Sequence, residues 1–73
     1  MGDERITGTK RSNIKEGDLV EIIQKHHQPS GELTEGLVIR ILTKSPNHPH
    51  GIKVRIDSGE VGRVKWVLVE DLD

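Results

Sequence analysis

"GIKVRIDSGEVGRVKW", residues 51–66, decides the fold. Ile52, Val54 and Ile56 alternate with Lys53, Arg55 and Asp57, so an extended chain here carries one apolar and one polar face. Asp57-Ser58-Gly59 then suits a three-residue hairpin loop, with Gly59 in the left-handed conformation that a type I turn plus bulge requires. Residue 56 then faces residue 60, Val54 opposes Gly62 and Ile52 opposes Val64, with Trp66 beyond them on the apolar side. A two-residue loop would set Arg63 against Val54 on the core face, and a one-residue slip turns every side chain over. The three-residue loop is therefore the predicted connection.

The same register sets Lys53 directly across from Arg63, with Arg55 and Lys65 on the same outer face. Like charges opposed across neighbouring strands cost stability. Something acidic should offset them, either Glu21, Glu35, Glu60 or the acidic tail of the molecule itself, or an acidic partner. Charge is unevenly spread along the chain despite a net value of −1. Residues 12–36 hold two lysines and five acids, residues 40–66 hold six basic residues beside Asp57 and Glu60, and residues 67–73 hold three acids. A near-neutral total argues against a protein that finds nucleic acid through its overall field, but one half of the chain is basic.

Working outward, residues 18–24 read as a strand rich in Val and Ile, and residues 25–32 (KHHQPSGE) as a loop. GLVIRILT, residues 36–43, is nearly all apolar and β-branched; its opening Gly and short length favour a strand over a buried helix. Residues 44–50 form a second loop, and residues 51–57 and 60–68 the strands of the hairpin. The first dozen residues, rich in Gly, Thr and charge and without periodicity, read as a disordered N-terminal arm over 1–12, followed by one domain over 13–73. A chain of 73 residues buries only about 60% of the surface its unfolded form exposes, so the core must be thin. With no cysteine, disulfides are excluded as a staple. No apolar run approaches the ~20 residues of a membrane span, and the polar start MGDERITGTKR lacks a signal-peptide apolar stretch. These features lead to the expectation of a soluble cytoplasmic protein.

Gly36-Leu37-Val38 with Ile41 resembles the Gly-x-Val-x-x-Ile core of KOW-type SH3-like barrels, found in ribosomal proteins and transcription factors. The longer pattern of SNIKEGDLVEII, GELTEGLVIRILTKSPNHPHGIKVRI and SGEVGRV is similar to the YwbE-like family of small uncharacterised proteins, over about residues 12–66. Its shared stretch falls on residues 48–54 and on Gly62, Arg63 and Val64. That family supplies no settled activity, substrate or catalytic residue to carry over. This sequence departs from it in the first loop, where His26-His27-Gln28-Pro29 stands in place of a more acidic and amide-rich stretch, so no family role passes to His26 or His27. The resemblances imply an all-β, small SH3-like (KOW-like) barrel of four to five short bent strands, with an OB-like barrel as the alternative. Val20, Ile22, Val38, Ile41, Ile52, Val54, Ile56, Val64 and Trp66 should form its core.

Four histidines in two loops raise the question of a metal. His48 and His50 would point the same way in an extended segment, but a third ligand must come from another loop and no strong short ligand motif is present. SPNHPHG, residues 45–51, has an ordinary account as a stiffened bend. Each proline fixes its own φ and holds Ser45 and His48 extended, Gly51 permits an unusual angle, and His50 could pin the bend by a hydrogen bond. No metal and no cofactor is expected. Catalysis is not expected either, because nucleophile elbows, cysteine and phosphate loops are absent and so small a core leaves little room for a pocket of some hundreds of Å³.

Two binding functions remain. The face of Lys53, Arg55, Arg63 and Lys65, joined by Arg40 and Lys44, could hold the phosphates of structured RNA or of the ribosome, as the KOW resemblance implies. Base stacking is not expected, because there is no Phe or Tyr and the single Trp66 points to the core in this register. Alternatively, the same face could bind an acidic protein surface.

Overall fold

Five strands make up the computed structural model, which describes residues 5–27 and 29–68: β1 (Arg5–Thr7), β2 (Leu19–Gln24), β3 (Thr34–Ile41), β4 (Lys53–Ile56) and β5 (Val61–Leu68). Two 3-10 turns, Arg11–Asn13 and Lys25–His27, are the only helical elements among the described residues. β2, β3, β4 and β5 pair antiparallel in a closed ring, and β1 adds to β5. The fold is all-β and a small SH3-like barrel, as the sequence implies. β5 closes the ring by pairing with β4 along one edge and β2 along the other, and the β4 edge passes on to β1. Its first residues meet β4 (Lys53 opposite Arg63, Arg55 opposite Val61), its last meet β1 (Thr7 opposite Trp66, Arg5 opposite Leu68), and β2 pairs with it along the other edge.

The hairpin has the predicted register. The Ile56 amide donates to the Glu60 carbonyl at 2.9 Å, the Gly59 amide donates to the Ile56 carbonyl at 2.8 Å, and Gly59 has φ +92°. Val54 opposes Gly62, and the Val64 amide donates to the Ile52 carbonyl at 2.9 Å. At Gly62 the strands come so close that a Cβ would lie 2.7 Å from the Ile23 carbonyl oxygen, which explains a glycine in mid-strand.

Ile14, Val20, Ile22, Val38, Ile52, Val54, Ile56, Val64 and Val67 fill the barrel. Ile41 packs against them half-buried, but Trp66 is not among them: it is half-buried on the outer wall. The cause is a bulge. Ile22 opposes Val64 and Glu21 opposes Trp66, so Lys65 is an extra residue on β5, and the inward alternation passes from Val64 to Val67. A second bulge lies in β3. Val38 opposes Ile56 and Arg40 opposes Arg55, so Ile39 and Arg40 are both exposed between inward Val38 and half-buried Ile41. Each bulge keeps the interior apolar while turning two consecutive side chains outward.

The expected arm over residues 1–12 needs correction. Residues 1–4 lie outside the described residues, but from Arg5 onward the segment is bound to the barrel. Beyond β1, the Gly8 amide donates to Lys65 at 3.2 Å and the Gly8 carbonyl accepts from Ile52 at 2.8 Å. The Arg11 amide donates to the Pro46 carbonyl at 2.8 Å, the His48 amide to the Thr9 carbonyl at 2.9 Å, and Lys10 bridges Asn47. Backbone hydrogen bonds hold this stretch rather than a buried apolar face, Ile6 being 37% exposed, so no periodicity marks it in the sequence. The acidic tail, residues 69–73, lies outside the described residues.

Candidate nucleic-acid interface

The outer wall of β3, β4 and β5 carries two like-charge cross-strand pairs side by side. Lys53 stands opposite Arg63, and Arg40 opposite Arg55. The first pair follows from the hairpin register. The second does not, because it depends on the β3 bulge, which puts Arg40 on the outer wall rather than inward. Lys53, Arg55 and Arg40 are exposed. Arg63 is half-buried, and its Nη1 donates to the Gly51 carbonyl at 3.1 Å, so this side chain also braces the start of the hairpin.

Beside Lys53 and Arg63 lies a hollow of about 420 Å³, lined also by Ile23, Lys25, Val61 and Gly62. Lys25, in the expected loop over residues 25–32, joins the basic residues of this hollow. Its signal was its place directly after β2, the strand that pairs with β5. Neither Lys65 nor Lys44 lines this hollow. The bulge turns Lys65 toward a second hollow, with its Nζ 5.7 Å from the centroid of the Trp66 ring. Lys44 is exposed in the loop after Thr43, whose Oγ1 accepts from the Lys53 amide at 2.7 Å.

None of the described acids makes an ion pair with the cluster. Glu21 and Glu35 oppose each other across β2 and β3. Glu60 accepts from Ser58 Oγ at 2.9 Å, and Asp57 Oδ1 accepts from the Leu37 amide at 3.3 Å. Among the described residues the one contact with salt-bridge geometry is His27 Nε2 with Glu32 Oε1, at 3.6 Å, an ion pair only when the imidazole is protonated.

The second hollow, about 270 Å³, is lined by Trp66, Lys65, Thr7, Thr9, His50 and Pro49 among others, and Ile23 forms a wall of both hollows. A third, about 470 Å³, lies by Leu19, Leu37 and Leu68. Hollows of several hundred Å³ thus exist, and size is no argument against a pocket in this fold.

The histidines shape the bend, though not by the atom expected. The His50 backbone amide donates to Nδ1 of His48 at 3.1 Å, so the His48 ring pins the turn, which the Gly51 amide closes on the His48 carbonyl at 3.0 Å. Desolvation, then the nearby Arg63 charge and then His50, hold the pKa of His48 below the usual 6.5. A neutral ring is what the hydrogen bond into Nδ1 requires. His26 and His27 lie in the 3-10 turn after β2, with ring centroids 4.1 Å apart. Among the described residues no three His, Asp or Glu side chains gather to hold a metal ion, and no helix is long and apolar enough to cross a membrane.

A family of proteins described as "Uncharacterized conserved protein (DUF2196)" matches residues 7–67, a span that takes in part of the segment added by β1. The uncharacterized protein YwbE of Bacillus subtilis (strain 168) is 50% identical over 63 residues, covering 86% of this chain and 97% of that protein. No solved structure gives a significant match.

Proposed function

This chain belongs to the DUF2196 family of uncharacterised conserved proteins, and for it we propose a non-catalytic binding function: the capture of structured RNA, free or in the ribosome, on the basic wall of β3, β4 and β5. The observation that carries this reading is the two like-charge cross-strand pairs, Lys53 with Arg63 and Arg40 with Arg55, with no described acid in an ion pair with them. Strands lie roughly 5 Å apart and alternate residues roughly 7 Å apart, so the four charges form a dense grid. A phosphate backbone is similarly dense in charge, and neutralising it releases counterions. Contacts of this kind hold shape and backbone rather than sequence. The cytoplasm, where structured RNA is abundant, is the location this reading implies.

A second reading has one observation in its favour. Leu37, Ile39 and Leu42 are 43%, 50% and 36% exposed on and just after β3, next to Arg40, and a mixed apolar and basic surface also suits an acidic protein segment.

Titration of a labelled RNA stem-loop across a range of salt concentrations tests the proposal. Binding should weaken steeply with salt, and replacing exposed Lys53 and Arg55 together by Gln should flatten the log–log slope by about 2. Arg63 is kept in these variants because it also braces Gly51. Absence of RNA binding at low salt would overturn the reading, and tight capture of a poly-glutamate peptide in its place would assign the wall to an acidic protein.

A further inference from the structure

The bulge at Lys65 moves the only tryptophan out of the core and onto the wall beside the basic cluster. There Trp66 lines the hollow of about 270 Å³, below the ~300–1,000 Å³ of clefts that enclose drug-sized ligands. The hollow combines a flat aromatic ring and Pro49 with groups that can meet the polar edge of a base. The Thr7 and Thr9 hydroxyls lie 3.2 Å apart and hydrogen-bonded, with the Thr9 amide 3.4 Å from Thr7 Oγ1, and His50 is part of the lining. Lys65 is exposed on a flexible stem over the ring, so it can yield that ring face and turn its ammonium to a phosphate. Through Ile23 the hollow adjoins the one lined by Lys25, Lys53 and Arg63. An aromatic surface with hydrogen-bonding groups, next to a phosphate-binding cluster, is the arrangement that receives an unstacked nucleotide.

We propose that this hollow takes a single unpaired base of the RNA, stacked on Trp66, while Lys53 and Arg63 hold the adjoining phosphates. This rests on the RNA reading of the basic wall and adds to it a preference for duplexes interrupted by a bulged nucleotide. Stacking of one base is worth enough by alanine substitution to give roughly tenfold in affinity.

The experiment uses two RNA duplexes, one fully paired and one with a single bulged adenosine. It reads affinity by anisotropy and, separately, the emission of Trp66, which no other tryptophan or tyrosine obscures. The bulged duplex should bind about tenfold more tightly and should alone change the Trp66 emission. Trp66→Ala should erase the preference, and Trp66→Phe, which keeps an aromatic ring and the packing, should retain most of it. Equal affinities with unchanged emission would overturn the base hollow and leave the basic wall standing. Failure of both duplexes to bind would overturn both readings.

Discussion

Two of the chain's turns set a glycine at a left-handed angle, Gly59 at φ +92° in the hairpin loop and Gly51 at φ +104° in the proline bend, and their surroundings differ. A Cβ on Gly59 would meet nothing within 4 Å, and the turn closes through bonds among residues 56, 58, 59 and 60, with Asp57 tied outside it to Leu37 of β3. A Cβ on Gly51 would run into the Val64 carbonyl oxygen, and the bend is held by Thr9 and Arg11 as well as by its own bond from Gly51 to His48. The hairpin turn is thus a local structure and the bend a junction. Similar backbone angles serve a loop that the nearby sequence specifies in one case and a site of barrel closure in the other.

Substitution at Gly51 should break the comparison most strongly. Gly51→Ala adds a steric conflict with β5, about 1–3 kcal/mol, to a left-handed cost of about 1–2 kcal/mol, so urea denaturation should show a loss of about 3 kcal/mol. Gly59→Val should lose only the backbone part, about 1–2 kcal/mol, because its side chain enters open space. A neutral result at Gly59 would refute the bulged loop, and equal losses at the two sites would erase the distinction between them.

The smallest effect is a pH dependence confined to the bend. His48 has a pKa below 6.5 in the folded protein, so between that lowered value and 6.5 the unfolded chain binds more protons than the folded one. Its contribution to stability is therefore present above 6.5 and is lost as pH falls through the window beneath it. His48→Asn keeps an acceptor for the His50 amide and removes the titration. Its melting temperature should fall less than the wild type's between about pH 7.5 and 5.5, and parallel curves would show that the His48 ring does not sense protons.

Legibility in the sequence followed the range of the interactions involved. Lys53 opposite Arg63 could be read because three residues, Asp57, Ser58 and Gly59, set the register of the whole hairpin. The bend could be read from Pro46, Pro49 and Gly51, but which histidine ring pins it, His48 rather than His50, depends on the fold of the turn. Trp66 was misplaced because VKWV admits two alternations, with either Trp66 or Val67 inward after Val64, and only pairing with Glu21 and Ile22 on β2 selects the bulge. Arg40 came to oppose Arg55 through a bulge of the same kind. Residues 5–12 carried no signal, because their partners are backbone groups of residues 46–48, 52 and 65–68, distant in sequence and indifferent to side-chain type.

By itself the sequence determined the four strands of the barrel, the hairpin register and most of the apolar interior, since alternation and turn chemistry act over a few residues and survive any placement of the rest. Tertiary structure decided where the barrel closes, which residues bulge and which charges lie together. Closure requires β5 to pair with β4 on one edge and β2 on the other, and the extra residues at Lys65 and Ile39 are where the inward alternation is re-phased. Trp66 and the Arg40–Arg55 pair lie on the outer wall for that reason.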